Sequence, residues 1–244
     1  MLFPPRANER SLPAVTLWDV ILLLVIFMVV AVVLASQIDR LAALFGPELS
    51  LNGLLPLMLL QSLVPVLLVH LLIVKRRGIT WADLGFRPAD PAWYRLSLAA
   101  GLLCVPLVAG SRLLFEPLFG EDFENPQVAL LSPEEFTWTG FLATLFVVAA
   151  LAPLIEEILF RGLLFPLLRR WMRFIFAALI SGLCFALLHQ IVPLIPAFLI
   201  MGIVLAAARE YSGSLWPPMI IHGLFNALNV TTLYTVIALE GGGF

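Results

Sequence analysis

The sequence predicts an all-α, polytopic integral membrane bundle of about seven (7–8) transmembrane helices, and three observations lead there. Of 244 residues, 61% are hydrophobic and only 12% charged, with a mean hydropathy of +1.04. Soluble domains lie near about 45–50% apolar and about 25% charged. The apolar residues fall in runs long enough to cross a bilayer, and most charges gather between those runs. A net charge of -2 without a basic tract gives no reason to expect nucleic acid as a partner. Cys104 and Cys184 fall inside apolar runs at a spacing that matches no ligand pattern, and read as small buried hydrophobes.

Residues 1–15 form a polar arm with Arg6, Glu9 and Arg10. The first apolar run, about Leu17 to Ser36, opens on Thr16 and Asp19 at capping-box spacing. It exceeds the roughly 7–15 residues of a signal-peptide core, so it is read as an uncleaved span. A loop with Asp39, Arg40, Gly46, Pro47 and Glu48 is expected next. The second run, about Leu51 to Val74, ends in Lys75-Arg76-Arg77, with His70 near its interfacial end. Thr80 to Asp90 is a connector with a short helical turn capped by Thr80. The third run is about Trp93 to Phe115, and residues 116–135 form an acidic loop. Ser132-Pro133-Glu134-Glu135 has the form of a helix start. It predicts a long helix through Glu156 and Glu157 to Arg169-Arg170, kinked at Pro153. Runs from about Phe174 to His189, Pro196 to Ala208 and Pro217 to Leu239 follow. The organisation expected is an arm at 1–15, an N-terminal membrane part with the acidic loop at 16–136, a core at 137–239 and a tail at 240–244.

Basic residues near span ends set orientation. Arg6, Arg10, Lys75 to Arg77, Arg169 to Arg173 and Arg209 fall on one side, and the acidic loop on the other. The expectation is a multi-pass protein of the cell membrane with a cytoplasmic N-terminus.

Between Thr137 and Ile155 no side chain ionises; then come Glu156, Glu157 and Arg161. A charge at the centre of an apolar helix costs roughly 2.5–3.5 kcal/mol even on the most lenient scale. Adjacent residues on a helix point about 100° apart, so the two glutamates cannot do the same job. Glu157 and Arg161 share a face at i,i+4 and can neutralise each other. Glu156 is left to face something else, and an unpaired carboxylate in an apolar cavity is a candidate general base. The plainer alternative is that both glutamates pair with arginines between helices. Depth counting weighs against it. Glu156 lies about 16 residues before the turn at Met172, and His189 about 17 after it. Antiparallel packing puts both about 24 Å from that turn. His222 and Asn226 share one helical face and offer donors for an oxyanion, or else hydrogen bonds between helices. By span counting His222 lies nearer the basic side, so the groups converge only if the Arg169 end projects from the bilayer. The site is then expected to open toward the cytoplasm.

Glu156-Glu157-x-x-x-Arg161, Phe185-x-x-x-His189 and His222-x-x-x-Asn226, in this order on successive apolar spans, resemble the three motifs of the CAAX prenyl protease and bacteriocin-processing (CPBP, Abi, type II CAAX endopeptidase-like) family of intramembrane proteases. The resemblance covers about residues 137–230; the first half is similar only through TWADLGFRP and its hydropathy. It implies a metal-independent glutamate endopeptidase with a catalytic cavity within the bilayer and no cofactor. In this family's pattern Glu156 and His189 activate water, and His222 and Asn226 form the oxyanion hole. Glu157, Arg161 and Phe185 support them. Membrane lipids and a membrane-associated or prenylated peptide substrate are the implied partners.

Two alternatives stand beside it. A zinc protease would use Glu156, His189 and His222 as ligands, although His189 is followed by Gln190 and no His-Glu-x-x-His occurs. A non-catalytic scaffold, bacteriocin-immunity or transport-related protein would use the same buried polar cluster to hold a partner or a proton.

Overall fold

The computed structural model describes residues 14–45, 51–119, 125–133 and 135–240. The polar arm with Arg6 and Arg10, the 46–50 turn, Glu121, Asp122, Glu124, Glu134 and the glycine tail lie outside the described residues. Among the described residues four helices are long and apolar enough to cross a membrane: Pro91–Phe115, Trp138–Arg169, Val192–Ser212 and Trp216–Glu240. Shorter apolar helical stretches cover Leu17–Val33, Leu59–Lys75 and Phe174–Leu188. The chain is an all-α integral membrane protein, and these stretches match the expected apolar runs.

The first helix, α1 (Leu17–Phe45), starts at the predicted capping box, where Thr16 N–H donates to Asp19 Oδ2 at 2.8 Å. It does not stop at Ser36. Asp39 and Arg40 are helical because Leu41, Ala42, Ala43 and Leu44 continue the run with strong helix formers. Helix α2 (Leu51–Val69) extends as a π-helical turn through Lys75. An Arg77–Asp19 ion pair at 2.6 Å ties its end to α1. The connector forms α3 (Trp81–Leu84) with the expected Thr80 cap, and His70 stacks on Trp81. Helix α4 (Pro91–Phe115) follows.

The predicted helix start at Ser132-Pro133 is corrected. Asn125 caps a short helix, α5 (Pro126–Leu131). Ser132 Oγ donates back to Val128 O, so this serine closes α5 rather than opening the next helix. The long helix, α6 (Trp138–Arg169), starts instead on Thr137, whose Oγ1 accepts from Gly140 N–H at 3.1 Å. Its 32 residues span about 48 Å, well beyond a hydrocarbon core of about 30 Å. Helix α7 (Phe174–Leu188) returns about 22 Å and ends short of the far side. It stops at Gln190, which adopts φ 57°, before the prolines expected to break the chain. Helices α8 (Ile195–Ser212) and α9 (Trp216–Glu240) complete the bundle.

The second half of α6 is the centre of the molecule. Every residue from Glu157 to Phe165 is buried, so this stretch is enclosed by protein on all sides, not by lipid. Outer helices face the bilayer with side chains such as Leu103 and Phe176. A lipid surround gives little hydrophobic drive between helices, so close packing has to hold them together. Helices α7 and α8 meet through Gly182 and Gly202; a Cβ on Gly202 would stand 2.6 Å from Gly182 Cα. The connector clamps the turn between α8 and α9. Leu215 N–H donates to Gly85 O, Arg87 Nε to Gly213 O, and Ser214 Oγ to Arg87 O.

Gly202→Ala is expected to separate α7 from α8 and lower stability by about 1–3 kcal/mol, as overpacking of close-fitted cores does. Thermal unfolding in detergent measures it, with the lipid-facing Leu103→Ala shifting the midpoint far less.

Candidate active site

Two prolines prepare α6 for its neighbours. Before each, the helix widens to π geometry, with Ala152 N–H donating to Val147 O and Phe165 N–H to Phe160 O, five residues back. The next donors in that register would be residues 153 and 166, and both are proline, which has no N–H. The carbonyls they leave are Val148 O and Arg161 O. A side chain from a later helix takes each one. Asn226 Nδ2 donates to Val148 O at 2.9 Å, and Arg209 Nε donates to Arg161 O at 3.1 Å. The kink expected at Pro153 is thus a widened turn that docks α9. Beside Asn226, Gly223 lets α9 approach so closely that a Cβ there would sit 2.6 Å from Ala149 O.

This docking brings His222 to the glutamates. Arg161 Nη1 donates to Glu157 Oε1 at 3.0 Å, the i,i+4 pair expected from sequence, with both side chains fully buried. Arg161 Nη2 donates to Gly202 O at 3.0 Å, and the guanidinium carbon lies 4.8 Å from the Phe185 ring centre. Glu157 does more than neutralise Arg161, because Oε1 also meets His222 Nδ1 at 3.0 Å. A carboxylate can only accept there, which puts the Nδ1 proton on His222 and turns Nε2 outward. His222 Nε2 lies 3.7 Å from Glu156 Oε2. The histidine therefore bridges both glutamates.

Glu156, His189, His222 and Asn226 all line one cavity of about 370 Å³. Glu156 Oε2 is buried and accepts no hydrogen bond from the described residues. His189, just after α7, bonds Phe185 O through Nδ1 at 2.8 Å and stacks on Phe198 at 4.1 Å. Phe185 packs against His189, His222 and Arg161 together. One expected pairing is adjusted. The depth count places Glu156 and His189 in the same cavity, yet the histidine against Glu156 is His222, and among the described residues no hydrogen bond or ion pair joins Glu156 to His189. His189 instead meets the Phe185 carbonyl of its own helix through Nδ1.

The cavity wall reaches Arg112, Asn125, Gln127 and Leu131, near the acidic loop. Asn229 also lines the cavity and was legible as the next position on the His222–Asn226 face. Gln61, Arg112 and Gln127 carry no such spacing signal. Among the described residues no group of three His, Cys, Asp or Glu side chains is arranged to hold a metal ion.

These features define a class: an intramembrane helical bundle whose buried carboxylates and imidazoles meet in a cavity. Residues 133–228, about two-fifths of the chain, match the family described as Type II CAAX prenyl endopeptidase Rce1-like. Over those residues the chain is similar to the CAAX protease (CPBP) family, and the match supports a CAAX-type intramembrane peptidase at family level. No curated protein and no solved structure matches the chain.

Glu157→Gln leaves Arg161 buried without its counter-charge and is expected to cost about 3–5 kcal/mol of stability. Adding Arg161→Leu should restore part of that loss, which a double-mutant cycle of thermal unfolding in detergent measures.

Proposed function

We propose that this protein is a metal-independent glutamate endopeptidase that hydrolyses a peptide bond of a membrane-associated or lipidated protein within the bilayer. One observation carries the reading: Glu156, His189, His222 and Asn226 share a cavity while the Glu157–Arg161 pair closes the charge behind it.

Charge balance sets the roles. Glu157 and Arg161 cancel, and Glu156 remains. Its Oε2 lies 3.7 Å from His222 Nε2, and a proton on that nitrogen would balance Glu156 in a medium that penalises net charge.

Water held between Glu156 and His189 gives a proton to Glu156 as its oxygen attacks the carbonyl carbon. The carbonyl electron pair moves to oxygen. That oxyanion accepts from His222 Nε2–H and from the Asn226 N–H that Val148 O does not use. Collapse breaks the C–N bond, and Glu156 passes its proton to the leaving nitrogen. One water is consumed, and a carboxylate and an amine result. Phe185 holds both imidazoles and Arg161 in place.

Among the described residues no group of three His, Cys, Asp or Glu side chains converges, which favours the metal-free reading over a zinc site. We place the protein in the cell membrane with its N-terminus and the basic ends of α2, α6 and α8 in the cytoplasm, following the excess of arginine and lysine there.

Purified protein in proteoliposomes is expected to cleave membrane-anchored peptides. Glu156→Gln should lower turnover by at least about a thousandfold with folding intact, as loss of the base requires. Activity should survive strong chelators, with no stoichiometric zinc by elemental analysis. Full activity in Glu156→Gln would overturn the mechanism, and loss to chelators would return the zinc reading.

A further inference from the structure

The basic end of the bundle carries a cluster of charges that the cavity chemistry does not use. Three segments meet there. Arg77, just past the π-helical end of α2, pairs with Asp19 of α1 at 2.6 Å. Arg170, at the end of α6, donates from Nη1 to Val15 O at 2.9 Å. Val15 and Asp19 are four residues apart at the start of α1, so both arginines flank that start. With Lys75, Arg76, Arg169 and Arg173, six cations lie in these short stretches. Two described carboxylates pair with them: Asp19 with Arg77, and Glu210 of α8 with Arg169 at 2.8 Å. Lys75, Arg76 and Arg173 are exposed, and none of their side chains makes a hydrogen bond or ion pair among the described residues.

The same corner exposes two tryptophans, Trp18 at 77% and Trp171 at 61%. Tryptophan beside arginine and lysine at the end of an apolar helix marks the headgroup level of a bilayer. Helices α1 and α7 run side by side away from this level. Arg170, before α7, holds Val15, and Gln190, after α7, donates from Nε2 to Met28 Sδ at 3.3 Å. The two ties are about 20 Å apart along α1, longer than one leaflet's half of a hydrocarbon core of about 30 Å. Over that length both helices leave apolar side chains uncovered, among them Leu22 and Val25 of α1 and Ile175 and Leu179 of α7.

Unpaired ammonium and guanidinium groups at headgroup level suit a phosphate, which they bind by charge-assisted hydrogen bonds. A soluble phosphate would use the cations alone, whereas a phospholipid would also cover the apolar side chains beneath them. A zwitterionic headgroup brings its own cation and gains little from the excess positive charge; an anionic headgroup gains most.

We propose that this corner binds an anionic phospholipid, with its phosphate among Lys75, Arg76 and Arg173 beside Trp18 and Trp171, and its acyl chains along α1 and α7. The lipid bridges the start of α1, the end of α2 and the turn between α6 and α7, and stabilises their junction because it binds only the folded arrangement. The assignment does not depend on the peptidase reading.

The test titrates the full-length protein in a neutral detergent with phosphatidylglycerol, with phosphatidylcholine of the same acyl chains, and with inorganic phosphate. Bound lipid is read by native mass spectrometry, and stability by the thermal unfolding midpoint. Phosphatidylglycerol is expected to bind about tenfold to a hundredfold more tightly than phosphatidylcholine, as the attraction of surface lysine and arginine for anionic lipid implies. It should raise the midpoint, and added salt should weaken the preference. Lys75→Gln, Arg76→Gln and Arg173→Gln together should remove the preference and leave the lipid-free midpoint almost unchanged, since these side chains are exposed and unpaired. Arg95→Gln, at an exposed arginine on α4 rather than on the three segments, should leave the preference intact. Equal binding of the two lipids, or a preference that survives the triple change, would overturn the proposal. Loss of the preference in Arg95→Gln would reduce the site to diffuse surface charge. A midpoint rise with inorganic phosphate equal to that with phosphatidylglycerol would assign the site to a soluble anion. Either of those results also overturns the lipid site.

Discussion

The buried contact of Glu157 with both Arg161 and His222 is the constraint on which the rest depends. Charges at this depth are tolerated only as a closed set, since each alone costs several kcal/mol. The set is drawn from α6 and α9, with Gly202 O of α8 and the Phe185 ring of α7 completing the shell around Arg161. Four helices therefore have to meet at one point. Their packing follows from that need: glycines where α7 crosses α8 and where α9 crosses α6, and an enclosed central helix around the charges.

Backbone chemistry supplies the second constraint. In lipid an unsatisfied carbonyl is costly, so a proline in a membrane helix has to be answered by a donor from elsewhere. Pro153 and Pro166 each release a carbonyl, and each is met by a side chain from a later helix, Asn226 or Arg209. The same Asn226 amide reaches the cavity. Docking and chemistry thus share a residue, and the interaction that seats α9 also sets the distance of His222 from Glu156.

Much of the candidate site was legible in the sequence because intramembrane polar residues are few and expensive. Glu156, His189, His222 and Asn226 stood out against an apolar background, and the i,i+4 rule found the Glu157–Arg161 pair. The partition of the histidines was not legible. Depth counting sees height along the bilayer and not rotation about a helix axis, so it could not tell which imidazole faces Glu156. In the structure His189 instead meets the Phe185 carbonyl through Nδ1. The start of α6 was misplaced for a related reason. Ser132 offered cap chemistry, and the tertiary path used it to end α5, leaving Thr137 to cap α6.

By itself the sequence determined the membrane class, the apolar helices, their caps at Thr16 and Thr80, and the short set of residues able to do chemistry. These follow from hydropathy and periodicity, which are local. The tertiary structure alone decided that His222 bridges both glutamates, that the proline-freed carbonyls are taken by Asn226 and Arg209, and that the cavity runs toward Arg112. Those outcomes depend on helix rotation and close approach between residues far apart in the chain. No spacing rule encodes such geometry, because it is set by which glycines let which helices touch.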